Sequence, residues 1–110
     1  MEFPKKWSDA GSAPMSIEVV SDVLRKENPF RVYERTIPKG SFFSQVVNLR
    51  LDVFVRSGRI SYKDGKDDLE VPSGHFISLA GGSYSVHVSE DMDAEIIMAS
   101  YAPAEFLTKV

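Results

Sequence analysis

The sequence predicts an all-β protein, an antiparallel β-barrel or jelly roll preceded by a short N-terminal arm and helix. Two observations carry that expectation. From Phe30 onward, short runs of β-branched and aromatic residues recur at close, regular spacing. Between them stand the dipeptides that reverse a chain: Pro-Lys-Gly, Ser-Gly, Asp-Gly, Ser-Gly and Gly-Gly.

Residues 1–15 hold Pro4, Gly11, Ser12 and Pro14 among scattered apolar side chains and read as an arm, with Phe3 and Trp7 able to dock on a surface. Ile17 to Val20 is a short β-branched run. Ser21 can cap a short helix over 22–27, which Asn28-Pro29 ends. Phe30 to Ile37 is then a strand, and Pro38-Lys39-Gly40 is a turn. Phe42 to Val55 is a long β-rich run. Ser57-Gly58 turns tightly into Arg59 to Lys63. Asp64-Gly65 is a hairpin dipeptide leading to Leu69 to Val71. Pro72-Ser73-Gly74 turns into Phe76 to Leu79, and Gly81-Gly82 into Tyr84 to Val88. The acidic tip Ser89 to Asp93 turns into Ala94 to Tyr101. The organisation expected is one domain over 1–110, with the arm at 1–15 and the barrel core at about 30–103.

Composition narrows the function. At 43% hydrophobic and 26% charged residues, the 110-residue chain is an ordinary globular sequence able to bury one core. A net charge of -3 gives no nucleic-acid footprint. The absence of cysteine removes disulfides, thiolate catalysis and cysteine-ligated metals. No apolar run approaches the roughly 20 residues of a membrane span. Met-Glu-Phe-Pro-Lys-Lys-Trp lacks the apolar stretch of a secretory signal. A cytoplasmic protein with no nucleic-acid or membrane partner is expected.

The glycines give a further clue. Gly40 and Gly58 bracket one apolar run, and Gly74 and Gly82 another. These spacings resemble the two signature motifs of the cupin superfamily, and the resemblance covers about residues 30–103. It implies a small β-barrel. It also implies that a metal would sit in the lumen on three histidines and a glutamate, yet those positions are not retained. Counting from Gly74, Ala80 takes the proline position, Ser85 the histidine position and Ser89 the asparagine position. Counting back from Gly58, Leu51 takes the glutamate position, and Gln45 and Val47 the histidine positions. Counting forward from Gly40 puts the histidines at Val46 and Asn48.

Strand alternation favours the count from Gly58. If Gln45 faces inward, so do Val47, Leu49, Leu51, Val53 and Val55, an almost wholly apolar set, while the mostly polar Val46, Asn48, Arg50, Asp52, Phe54 and Arg56 face out. Such a wall offers a divalent metal no imidazole or carboxylate. No cofactor and no metal are expected. On this register Ser85 and His87 also face inward, and the expected ligand site is Gln45, Val47, Leu49, Leu51, Ser85 and His87, an apolar wall with a few polar groups. His75, in a turn, is expected at the surface. Tyr33, Tyr62, Tyr84 and Tyr101 are candidates to hydrogen-bond or stack on a planar ligand; Tyr33 and Tyr62 read rather as strand aromatics with solvated hydroxyls, and for Tyr84 and Tyr101 both readings stand. Arg31, Arg35, Arg50, Arg56 and Arg59 could bind an anion, but dispersed arginines facing Asp and Glu are the plainer expectation.

Two functions follow as expectations. The first is a metal-free cupin-like protein that binds a small, partly apolar ligand in its lumen or a protein partner outside. The second is a metal-independent enzyme of the nucleoside phosphorylase type, which Gly74-His75-Phe76 and Tyr101 loosely resemble. That chemistry needs two or more inward cations to hold phosphate. A homodimer is also expected, formed through the arm and the Ile17 to Val20 segment, with a twofold axis as the usual geometry.

Overall fold

The computed structural model describes residues 4–7, 16, 19–20 and 30–101. Seven strands follow in chain order: β1 (Lys5–Lys6), β2 (Phe30–Ile37), β3 (Phe42–Ser57), β4 (Arg59–Lys63), β5 (Asp68–Pro72), β6 (His75–Val88) and β7 (Ala94–Tyr101). All pair antiparallel, in the order β2-β7-β3-β6-β4-β5, with β1 joined to β6.

Strands β3 and β6 are the longest, at 16 and 14 residues, and each serves two layers. The second half of β3 lies between β7 and the first half of β6. Its first half pairs with the second half of β6, which in turn pairs with β4. One layer is therefore built on β2, β7, β3 and β6, and the other on β3, β6, β4 and β5. Their facing sides enclose the main core, from Ile37, Ile96 and Met98 on one side to Ile60, Tyr62 and Val71 on the other. Among the described residues β2 and β5 do not pair, so the sheet is an open, folded jelly roll and not a closed barrel.

The bend has a local cause. Between Val47↔Gly82 and Arg50↔Ala80, β3 carries one residue more than β6. Two residues, Asn48 and Leu49, thus stand against Gly81, a β-bulge that bends the strand and sharpens its twist. Gly81 is needed there, since a Cβ would lie 2.8 Å from the Asn48 carbonyl oxygen. The Gly81-Gly82 pair, expected as a turn between two strands, is instead a corner inside one. The Ser57-Gly58 turn is as expected. Gly58 has φ +81°, and a Cβ there would lie 2.6 Å from the Asp93 carbonyl oxygen.

A second apolar cluster covers the outer side of the first layer: Trp7, Val20, Phe54, Ile97 and Ala99, with Val19, Val32 and Phe76 against it. The Trp7 ring meets Phe54 and Phe76 edge-on at 5.6 and 6.2 Å, and its backbone N–H donates to the Gly74 carbonyl at 2.8 Å. The arm was expected to lie outside the sheet. Instead Lys5–Lys6 adds a strand to this chain's own β6, opposite Phe76 and His75. The Ile17 to Val20 run is also corrected. Val19 and Val20 are helical, because Ser16 caps them: its hydroxyl accepts the Val19 N–H at 3.2 Å and its carbonyl the Val20 N–H at 2.9 Å. The cap and the burial of Val20 override the β preference of a branched side chain. The helix expected over 22–27 lies outside the described residues.

Candidate functional site

The sequence nominated six residues, and the fold divides them. Gln45, Val47 and Leu51 face the interior, as alternation along β3 requires. Leu49 does not: it sits in the bulge and is 44% exposed. Ser85 and His87 lie on the outer side of the second layer, while Tyr84, Val86 and Val88 take the inward places. The same corner explains both errors. Along β6 the inward residues are Ile77 and Leu79 before Gly81-Gly82, and Tyr84, Val86 and Val88 after it. An odd step across the corner reverses the facing of everything beyond it, so a register counted from Gly74 arrives on the wrong side.

Outside, Ser85 and His87 line a shallow groove of about 520 Å³ with Phe42, Ser61, Lys63 and Asp68. The His87 ring lies 6.1 Å from that of Phe42, which is 73% exposed. His75 is far along β6, its Nδ1 3.0 Å from the Ser73 carbonyl. Among the described residues no three His, Asp or Glu side chains come together as a metal site. The inward positions of β3 and β6 offer an amide, a phenol and aliphatic groups, so this donor set does not fit the metal that the fold usually holds.

The interior end between the layers is richer than the sequence suggested. Phe43, Val86 and Tyr62 form one row across β3, β6 and β4, and Gln45 stands opposite Tyr84 in the next. Tyr62 was expected to reach solvent, yet it is fully buried, its ring edge-on to Tyr84 at 6.4 Å. Alternation in Ile60-Ser61-Tyr62-Lys63 was the signal that could have found it. The Tyr84 hydroxyl donates to the Ala80 carbonyl at 2.7 Å. The Tyr62 hydroxyl and the Gln45 side-chain oxygen are both buried and find no hydrogen-bond partner among the described residues. Burial pushes the Tyr62 phenol well above the ordinary tyrosine value; nearby Tyr33 adds to the shift and Arg35 opposes it. Burial, then Asp64, also raises Tyr84.

The arginines mostly follow the plain expectation. Arg50 holds buried Asp52 through Nε and Nη2 at 3.0 and 3.1 Å on the outer side of the first layer. Arg56 pairs with Glu34 at 3.4 Å, and Arg59 with Asp91 at 2.7 Å and Glu70 at 3.5 Å. Arg35 differs. It shares the inward side of β2 with Ile37, and its guanidinium lies 5.5 Å from the centre of the Phe43 ring on the facing layer.

An open antiparallel jelly roll whose two long strands pass through both layers has the fold of the cupins. Comparison with solved structures agrees. The chain superposes on the EutQ protein of Clostridium difficile with a TM-score of 0.58 at 17% identity, covering 68% of this chain and 53% of that one. A cupin-2 domain protein of Shewanella frigidimarina gives 0.56 at 9% identity, over 66% and 71%. A protein of unknown function from Rhizobium leguminosarum gives 0.59 at 13% identity, over 84% and 97%. The chain thus spans about half the length of the EutQ protein. No protein-family model matches the sequence, and no curated protein does.

Proposed function

We propose that this cupin-fold protein binds a small, partly apolar molecule at the interior end between its two layers, without a metal. The observation that supports this reading is the pair of buried, unpartnered polar atoms on Tyr62 and Gln45, set among Phe43, Tyr84, Val47 and Val86. Leaving a buried polar group unsatisfied costs about 1–3 kcal/mol, and a bound molecule could supply the missing partner to both. A phenol can donate, and a carboxamide can present either its oxygen or its NH2, so the two together can orient one ligand. Opening between the layers is part of binding, since neither atom is exposed to solvent.

The test is ligand-observed NMR against a library of small fragments, followed by backbone amide mapping of the hits. Shifts centred on Phe43, Gln45, Tyr62 and Tyr84 are expected. Hits confined to the outer groove of Phe42, Ser85 and His87, or no hits at all, would overturn the reading.

A protein partner on the outer side of the second layer is the second reading. Phe42 and Val46, at 73% and 69% exposed, favour it. A phosphate-using enzyme is less well supported, because Arg50 is committed to Asp52 on the outside and the two inward arginines of β2, Arg31 and Arg35, stand four residues apart on an extended strand, roughly 13 Å, too far to hold one phosphate together.

A further inference from the structure

Among the five arginines singled out in the sequence, three are matched to acids and two are not. Arg35 and Arg31 make no ion pair among the described residues, although acidic residues outnumber basic ones in the chain, 16 to 13. Both belong to the inward side of β2, with Tyr33 between them and Ile37 beyond. Arg35 is the inner of the two. It crosses from the first layer to the Phe43 ring of the second, so its charge stands at the edge of the core between the two layers.

That placement has a chemical meaning. A guanidinium held over an aromatic face is fixed in orientation, and its N–H edge stays free for a planar, two-oxygen acceptor. Beyond it lie aromatic and aliphatic walls, and deeper still the unpartnered Tyr62 hydroxyl and Gln45 amide. Phe43, beneath Arg35, stands in the same cross-strand row as Tyr62 with Val86 between them, so the two belong to one site. Arg31 stands four residues away along an extended strand, roughly 13 Å, too far to share one small anionic head with Arg35. A single guanidinium neutralises one charge. A phosphate dianion would bring a second, uncompensated charge into apolar surroundings.

We infer that the ligand is a small monocarboxylate with a flat, apolar body, its carboxylate on Arg35 and its body between the Phe43 and Tyr84 walls. This inference rests on the interior-binding reading above and names the chemistry of that site.

The experiment titrates the full chain with benzoate and with benzamide, its neutral counterpart of the same shape, following backbone amides by NMR. Benzoate is expected to bind at least tenfold more tightly, with shifts at Arg35, Phe43 and Tyr62, and to weaken as salt is raised. Arg35→Gln should bring benzoate down to the benzamide level and leave benzamide unchanged. Arg31→Gln should keep the preference. Arg35 is exposed, so its replacement spares the core. Equal binding of the two probes, or a preference that survives Arg35→Gln, overturns the carboxylate assignment alone. If neither these probes nor any neutral fragment enters the interior, the reading beneath it falls as well.

Discussion

Tyr62 and Tyr84 are neighbouring buried tyrosines, and the structure requires that deleting their hydroxyls have opposite effects. Tyr62→Phe removes an oxygen that has no partner and keeps a ring in edge-on contact with Tyr84. Relief of an unsatisfied buried group gains about 1–3 kcal/mol. Loss of a few dispersion contacts to one heavy atom costs about 0.5 kcal/mol. The variant should be more stable by about 1 kcal/mol. Tyr84→Phe loses the 2.7 Å bond to the Ala80 carbonyl and should be less stable by about 1 kcal/mol. With a urea slope of about 2 kcal/mol per molar, the two midpoints should move roughly 0.5 M in opposite directions from the parent. The pH arm is also signed. The folded phenol of Tyr62 titrates above its ordinary value of 10.0, so the parent has its full pH-linked stability from this group below pH 10. It loses it progressively as pH rises beyond that point, while the phenylalanine variant does not. Chemical denaturation by fluorescence at neutral pH and at pH 10.5 reads both effects. If Tyr62→Phe destabilises the protein as much as Tyr84→Phe, the Tyr62 hydroxyl is satisfied in solution and the argument for a poised interior fails.

Gly58→Ala should cost at least about 2 kcal/mol, since it combines a left-handed backbone with a Cβ 2.6 Å from a carbonyl oxygen; a thermal midpoint within 2 °C of the parent would refute this. The Asp64 carboxylate accepts N–H bonds from Asp67 and Lys66, which hold it below its ordinary 3.8. Its share of stability is therefore present above that value and lost as pH falls further, and a carboxyl-carbon NMR titration should show a midpoint under 3.8. Purification without an affinity tag should yield no stoichiometric transition metal by elemental analysis, and a chelator should leave the thermal midpoint in place. Light scattering at micromolar concentration tests the expected homodimer, and a monomeric mass would decide against it.

The strands were legible because their limits are set by local chemistry. Pro38-Lys39-Gly40 and Ser57-Gly58 fix the ends of β2, β3 and β4, and Asp64-Gly65 fixes the β4–β5 turn. The inward side of β3 was legible because Gln45, Val47, Leu51, Val53 and Val55 alternate with polar or differently packed residues. The corner was not. Gly81-Gly82 looks the same in sequence whether it reverses the chain or bends it, and only the opposing Asn48-Leu49 bulge decides which. Ser85 and His87 were lost at that step. Arg35 could not be chosen among five arginines, because what distinguishes it is the Phe43 ring, a contact made between distant strands.

The double duty of β3 and β6 also bears on how the chain reaches its native state. A hairpin such as β4–β5 can zip from its own turn. The first layer cannot, because its outer pair joins Phe30 to Tyr101, and its centre waits on β3 meeting both β6 and β7. Most ordering entropy is spent before those distant pairings reward it, which places the chain among slow folders of milliseconds to seconds. While β7 is still undocked, the apolar stretch Ile96-Ile97-Met98 is uncovered on both sides. The interval before it docks is when one chain is most apt to find another.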